Sequence, residues 1–152
     1  MASDIPNSEV TKAIIYAANA HATQDRWDGT PYILHPLRVM AHMSTNYERV
    51  IAVLHDVLED TDSTVDGLLR EGFTSELVWM VTLLSRVPNQ TNDEYLAVIE
   101  QEEVATKVKI QDLLDNLNVH SLPPSDTGTL TDKDVLRMNR YIDALRRLGY
   151  YG

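Results

Sequence analysis

The sequence contains no cysteine, which excludes disulfide bonds, thiolate metal ligands and cysteine nucleophiles. It has only one phenylalanine and two tryptophans, so a hydrophobic core must rest mainly on Leu, Ile, Val, Ala and Met. No apolar run approaches the roughly 18–20 residues that span a bilayer. The first residues also lack the basic start and the apolar stretch of a secretion signal. These absences predict a cytoplasmic protein without a membrane segment.

Basic residues are few relative to acidic ones. The 152 residues include 23 acidic and 13 basic side chains, and the formal net charge is -10 at pH 7. This balance argues against broad binding to a nucleic acid polymer or to an anionic membrane, since both depend on basic contacts to phosphates. It also disfavours a phosphorylated substrate, unless part of the acidity belongs to a metal site.

Signals for β-strands are nearly missing, because no alternating apolar pattern exceeds four residues. Apolar residues recur instead with helical spacing between capping residues and glycines. We therefore predict an all-α fold: a single compact bundle of six to eight helices spanning residues 1–152, with its core within about 8–148. The predicted helices are 7–21, 37–43, 46–58, 63–72, 74–84, 91–99, 104–117 and 131–148. Loops are predicted at 23–36 and 119–130.

The adjacent pair His55-Asp56 lies in an apolar helical segment that ends with Glu59-Asp60. On a continuous helix, His55 and Glu59 share a face, as do Asp56 and Asp60. Burying these groups without a partner would be costly, and a divalent cation is the simplest compensation. The alternative is ordinary: a buried histidine with a hydrogen-bond partner, followed by a solvated acidic helix end.

One helix end cannot complete a metal site, so other ligands are needed. His35 precedes Pro36 near a predicted helix start, and Asp112 shares a helical face with Asn116. Two imidazoles and two carboxylates suit Mn²⁺, Fe²⁺ or Zn²⁺ better than Ca²⁺. Such a site leaves positions for water, whose pKa the metal would lower. The other histidines are interpreted as structural or surface residues: His21, His42 and His120.

Three motifs occur in order along the chain. Residues 21–36 read HATQDRWDGTPYILHP, residues 55–61 read HDVLEDT and residues 109–116 read KIQDLLDN. With these motifs the sequence resembles the HD phosphohydrolase superfamily, from about residue 13 to residue 148. It looks most like the small alarmone hydrolases, the stand-alone relatives of the hydrolase domain in bifunctional Rel/SpoT enzymes.

The resemblance implies roles for individual residues. It implies four ligands for a metal that is usually Mn²⁺: His35, His55, Asp56 and Asp112. Glu59 and Asp60 match the pair that orients and activates water. Arg26 matches an arginine lining the nucleotide pocket, and Asn116 matches a residue near the nucleotide sugar. The implied reaction removes the 3′-pyrophosphate from ppGpp or pppGpp, and the length leaves no room for the synthetase domain as well.

Further substrate contacts are less specific. Trp27 suits a base-stacking platform or a plain surface aromatic, and Lys109 suits a phosphate contact or a cation on a polar helix face. Arg137 and Tyr141, one turn apart, would close over a nucleotide or simply belong to a solvated basic face. Departures from the family pattern at Trp27, Leu83 and Asp115 each remove a common positive charge.

Two other functions fit the sequence. The same metal site would serve hydrolysis of another nucleotide, such as NADPH, a 3′-phosphorylated nucleotide or a nucleoside monophosphate. A non-catalytic nucleotide-binding or protein-interaction module is the third interpretation, although all expected ligands are retained. The sequence leaves open whether the protein forms a homo-oligomer.

Overall fold

The computed structural model of the protein describes residues 4–118 and 129–152. In these ranges the chain is helical, and extended pairing is limited to one isolated bridge between Asp25 and Pro31. The helices are α1 (Asn7–Ala20), α2 (Leu34–Ala41), α3 (Asn46–Leu54), α4 (Val57–Asp60), α5 (Val65–Arg70), α6 (Ser75–Leu83), α7 (Asn92–Ile99), α8 (Glu103–Asn116) and α9 (Asp132–Arg147). Most of the loop predicted at 119–130, including His120, lies outside the described residues.

The all-α prediction is confirmed: the described ranges hold eight helices of six or more residues, and α4 is a single turn of four. None of the described helices is both long and apolar enough to cross a membrane. The predicted loop at 23–36 ends too late, since α2 begins at Leu34. Pro36 is compatible with this start because the first-turn amides of a helix have no intrahelical acceptor.

Threonine side chains begin most of the helices. A threonine hydroxyl accepts a hydrogen bond from an amide in the first turn of five helices, α3, α5, α6, α7 and α9. For α3 and α5 these capping residues are Thr45 and Thr64. At the other end of the chain, Gly149 follows the end of α9 and adopts a positive φ of 88°, which favours glycine there.

Helix α3 is the centre of the fold. Its last five residues, Val50 to Leu54, are all buried, so this part of the helix is apolar on every side. It packs against α1, α2, α6 and α8, and α2 also packs against α8. The start of α2, the end of α3 and the middle of α8 consequently meet at one place.

The predicted continuous helix over 46–58 is wrong, because the chain breaks at His55 and Asp56 between α3 and α4. In a continuing helix, the Asp56 amide would bond to the carbonyl oxygen of Ala52. That oxygen instead accepts from the His55 amide at 3.4 Å and from His55 Nδ1 at 2.6 Å. The side chain thus competes for the helical acceptor. One turn resumes after the break, where the Asp60 amide bonds to the Asp56 carbonyl.

Candidate active site

Two histidines and two aspartates converge where α2, α3 and α8 meet. One ligand atom from each of them lies within 4.8 Å of the others: His35, His55, Asp56 and Asp112. His35 Nε2 is 3.0 Å from Asp112 Oδ1, and His55 Nε2 is 3.0 Å from Asp56 Oδ2. Both imidazoles are almost fully buried. The four side chains therefore form a compact cluster of two nitrogens and two oxygens.

The hydrogen bonds of the two imidazoles fix which nitrogen faces the cluster. His55 Nδ1 meets the Ala52 carbonyl oxygen, which only accepts, so Nδ1 must carry a proton. His55 Nε2 has no hydrogen-bond partner although it is buried. His35 Nδ1 likewise meets a carboxylate oxygen of Asp115 at 2.6 Å. In the neutral ring of each histidine, the Nε2 lone pair points at the aspartates.

This donor set fits a divalent metal ion. An unpartnered buried nitrogen is costly, and a cation among two imidazole nitrogens and two carboxylates would satisfy it. Burial lowers the pKa of His35, but hydrogen bonds to Asp112, Asp115 and Asp56 outweigh it and raise this pKa to about 9. A bound cation would replace such protons as the positive charge of the cluster.

Neighbouring donors hold both carboxylates of the cluster. Asp112 accepts from Lys109 Nζ at 2.7 Å and from Asn116 Nδ2 at 3.0 Å, one oxygen each. Asp56 accepts from the Tyr32 hydroxyl at 2.7 Å. These bonds hold the two carboxylates in place from outside the cluster, an arrangement that well-formed metal sites share. Lys109 and Asn116, both predicted as substrate contacts, thus lie directly beside a proposed ligand.

Glu59 and Asp60 lie on the turn that follows the break. Burial raises the pKa of Glu59, and the charges of Asp60 and Asp56 add to this effect. Burial and Asp56 also raise the pKa of Asp60, which the Tyr32 hydroxyl partly offsets from 3.1 Å. Both residues are exposed to solvent, and their carboxyl groups are close to the cluster without belonging to it, as the position of a proton acceptor requires.

A tight loop brings Arg26 to the same place. Its amide bonds to the Thr30 carbonyl, and Gly29 adopts a positive φ of 82° in the turn between them. The Arg26 side chain is buried, its Nη2 donates to Asn116 Oδ1 at 3.2 Å, and its Nε has no partner. Trp27 is 43% exposed beside it, with the guanidinium 5.9 Å from the ring centroid.

A cavity of about 290 Å³ adjoins the cluster on the side of α8 and α9. Three cationic side chains and one tyrosine contribute to its lining: Arg86, Lys109, Arg140 and Tyr141. The Arg86 amide also donates to Glu59 Oε2 at 3.3 Å. Neither this cavity nor a larger one of about 740 Å³, between α1 and the segment after α4, has a proposed ligand in its lining. The smaller cavity is connected to the site through Lys109, which donates to Asp112, and through Arg86, whose amide donates to Glu59.

The structure does not bring every predicted residue to this cavity. Arg137 donates to Asp134 one turn earlier on α9, whereas Arg140 lines the cavity next to Tyr141. Of the remaining histidines, His21 is buried against Tyr32, with 4.8 Å between ring centroids, and His42 is exposed.

Sequence reasoning missed five residues that surround the site: Tyr32, Arg38, Arg86, Asp115 and Arg140. Tyr32 carried a signal, because it lies inside the first motif. Arg38 follows His35 by one turn on α2, and Asp115 follows Asp112 by one turn on α8. Helical spacing therefore places both beside ligands. Arg86 and Arg140 lie outside the motifs, and only packing brings them to the cavity.

No protein-family model matches the chain. Three curated proteins from bacteria are similar to it. The guanosine-3′,5′-bis(diphosphate) 3′-pyrophosphohydrolase of Aquifex aeolicus is 35% identical, in an alignment of 122 positions that covers 72% of this chain. The enzyme of that name from Borreliella burgdorferi is 26% identical, in a gapped alignment of 162 positions that covers 96% of this chain. The GTP pyrophosphokinase rsh of Brucella ovis is 32% identical, in an alignment of 130 positions that covers 75% of this chain. The chain spans only 17% to 24% of the length of these relatives.

A solved structure shares the fold. It is that of a metazoan ortholog of SpoT, described as hydrolysing ppGpp and acting in starvation responses. The TM-score is 0.78 at 22% sequence identity, over 97% of this chain and 89% of that one. The helical fold with its buried His/Asp cluster is the one expected of an HD-domain protein. Together, the bacterial relatives and this structure support an HD-domain protein similar to the Rel/SpoT-type alarmone hydrolases, so the resemblance seen in the motifs is confirmed.

Proposed function

We propose that this chain is a Mn²⁺-dependent hydrolase that removes the 3′-pyrophosphate from ppGpp or pppGpp and leaves GDP or GTP. One observation carries the proposal. Two imidazole nitrogens and two aspartate oxygens lie within 4.8 Å of one another, in a segment matched by relatives that bear this activity in their names. Fe²⁺ and Zn²⁺ also suit the donor set, and the choice among the three depends on availability as well as on affinity.

The four ligands would be His35 and His55 through Nε2, with Asp56 and Asp112 through one oxygen each. A divalent ion held there supplies Lewis acidity, which lowers the pKa of water and stabilises negative charge on phosphoryl oxygens. In the reaction, a water oxygen bonds to the phosphorus nearest the ribose, the bond from that phosphorus to the 3′ oxygen breaks, and pyrophosphate leaves.

Glu59 and Asp60 would accept the proton of the attacking water. Their raised pKa values bring them closer to neutral pH, where a carboxylate is a more effective base. The Tyr32 hydroxyl lies within hydrogen-bond distance of both Asp56 and Asp60 and so links the ligand cluster to this pair. The ribose 3′ oxygen takes up a proton as its bond to phosphorus breaks.

The cavity beside Lys109 offers positive charge for the substrate phosphates. The chain carries a net charge of -10, so a polyphosphate needs a local surface of opposite sign. Arg86, Lys109 and Arg140 supply it, and Tyr141 adds an aromatic face. Arg26 has an unpartnered Nε for a nucleotide contact, with Asn116 and Trp27 nearby. We expect Arg137 to contribute only if it leaves Asp134.

A substrate panel with Mn²⁺ tests the proposal. Purified protein is incubated with ppGpp, pppGpp, NADPH, a 3′-phosphorylated nucleotide and GMP, and pyrophosphate and orthophosphate are measured separately. We expect pyrophosphate from ppGpp and pppGpp, with loss of activity in His55→Ala and full activity in His42→Ala. Orthophosphate from another nucleotide, with ppGpp untouched, would contradict the substrate. Absence of bound metal and of all hydrolysis would favour a binding module.

The cationic cavity has its own matched pair of variants. Arg140 lines the cavity, and Arg146 is an exposed arginine in the last turn of the same helix. We expect Arg140→Ala to raise KM for ppGpp, and Arg146→Ala to leave it unchanged. An equal response of both variants would show that only the overall charge matters.

A further inference from the structure

Asp115 lies outside the proposed ligand cluster, but its carboxylate contacts one of the cluster's imidazoles. Oδ2 accepts a hydrogen bond from His35 Nδ1 at 2.6 Å. On the other side of the ring, His35 Nε2 lies 3.0 Å from Asp112 Oδ1 and 3.5 Å from Asp56 Oδ2. The imidazole is therefore held between a carboxylate behind it and the cluster in front of it.

Asp115 is itself held by Arg38. Arg38 Nε donates to Oδ1 at 2.7 Å, and Nη2 donates to Oδ2 at 3.0 Å. This two-pronged pairing fixes the plane of a carboxylate as well as its position. Arg26 Nη1 adds a second positive group 3.6 Å from Oδ2. The aspartate is thus oriented by α2 and by the loop that precedes it.

Helical spacing explains why these residues meet. Arg38 follows His35 by three positions on α2, and Asp115 follows Asp112 by three positions on α8. Because α2 and α8 pack together, Arg38 and Asp115 contact each other across the interface of the two helices. They lie one helical turn away from the proposed ligands His35 and Asp112, which meet across the same interface.

We propose that Asp115 is a positioning residue for the metal site. It keeps the proton of His35 on Nδ1 and turns the Nε2 lone pair toward the ion, while Arg38 holds Asp115 in place. A carboxylate behind an imidazole ligand fixes the ring and makes the ligand nitrogen more basic. The inference rests on the proposed function, because it assigns a role within the same site. In the alternative, Asp115 has a purely structural role: its ion pair with Arg38 would join α8 to α2 and would not affect metal binding.

The tautomer of His35 is the first test. Long-range ¹H–¹⁵N spectra of the Zn²⁺-loaded wild type, which is diamagnetic, report which ring nitrogen carries a proton. We expect His35 to have a protonated Nδ1 and a metal-bound Nε2. A metal-bound Nδ1, or a proton on Nε2, would overturn the proposal. This measurement needs no variant, so it stands even if changes at Asp115 prevent folding.

Mn²⁺ affinity is the second test. Asp115→Asn keeps the size of the side chain and removes its charge, and we expect the Kd for Mn²⁺ to rise roughly 10- to 100-fold. Asp115→Glu, which restores the carboxylate, should recover part of the loss. Asp93→Asn is the matched control, since Asp93 also pairs with an arginine, Arg147, but on the exposed surface. Circular dichroism verifies that each variant is folded.

A Kd for Asp115→Asn within threefold of the wild type would overturn the proposal, as would an equal rise in Asp93→Asn. Neither test uses a nucleotide, so an incorrect substrate assignment would leave both results unchanged. A wild type that binds neither Mn²⁺ nor Zn²⁺ would instead overturn the proposed function and this inference with it.

Discussion

His55 Nδ1 donates a 2.6 Å hydrogen bond to the carbonyl oxygen of Ala52, and this bond occupies the acceptor that would continue the central helix. Adjacent side chains of an unbroken α-helix point about 100° apart, so they do not face one common point. The break changes this relationship, because His55 Nε2 lies 3.0 Å from Asp56 Oδ2. The same bond thus ends the helix, fixes the proton on Nδ1 and aims Nε2 at the site.

Replacement of His55 by Gln should remove one ligand from the site. We expect the Mn²⁺ affinity to fall by more than the roughly 100-fold that loss of an outer partner costs. His42→Gln is the control, because His42 is exposed at the end of α2 and outside the cluster. Titration with free Mn²⁺ followed by electron paramagnetic resonance measures both affinities. Wild-type affinity in His55→Gln would show that this histidine is not a ligand.

Asp60→Asn should separate catalysis from metal binding. Asp60 lies near the cluster without belonging to it, so we expect Mn²⁺ affinity within a few fold of the wild type. If Asp60 takes the proton of water, kcat should fall roughly 10²- to 10⁴-fold. Steady-state pyrophosphate release measures kcat, and Asp62→Asn provides an exposed acidic control two residues along. Equal losses in both variants would contradict a specific role for Asp60.

The sequence was sufficient for the fold class and for the candidate ligands, because each leaves a local signal. Apolar residues at helical spacing mark the helices, and the His55-Asp56 pair in an apolar segment marks the site. The helix break at this pair was missed because it depends on a side chain competing for a backbone acceptor. Asp115 was interpreted only as a lost positive charge. Its contacts with His35 and Arg38 arise from the packing of α2 on α8, which no local pattern encodes.

The central position of α3 predicts a large effect of truncating its core. Ile51 is fully buried, and Ile51→Ala should lower the free energy of unfolding by about 2–5 kcal/mol through lost contacts and a residual cavity. The same change at Ile15, which is 57% exposed, should stay within about 0.5 kcal/mol. Urea denaturation with a chelator present compares the two without a contribution from metal. Similar losses at both positions would contradict the assignment of α3 as the core.

The protonation of His35 predicts how metal affinity depends on pH. Burial lowers its pKa, but the hydrogen bonds to Asp112, Asp115 and Asp56 raise it to about 9 in the metal-free protein, and the pKa of His55 is also raised well above its usual value. At a pH below these raised pKa values, each ring carries a second proton that a cation must displace. Affinity for Mn²⁺ should therefore increase with pH, about tenfold per unit for each proton released, and should level off once the pH exceeds the pKa of both rings, which is about 9 for His35.

Calorimetry in buffers of different ionisation enthalpy measures the number of protons released when Mn²⁺ binds. We expect one to two protons per ion at neutral pH, because the pKa of His35 is raised to about 9 and the pKa of His55 is also raised. His42→Gln should release the same number, since its exposed ring lies outside the cluster. Binding without proton release, or an affinity that falls as the pH rises, would contradict this prediction. Binding without proton release would show that both imidazoles are neutral before Mn²⁺ binds, so that positive charge on them does not stabilise the cluster of aspartates.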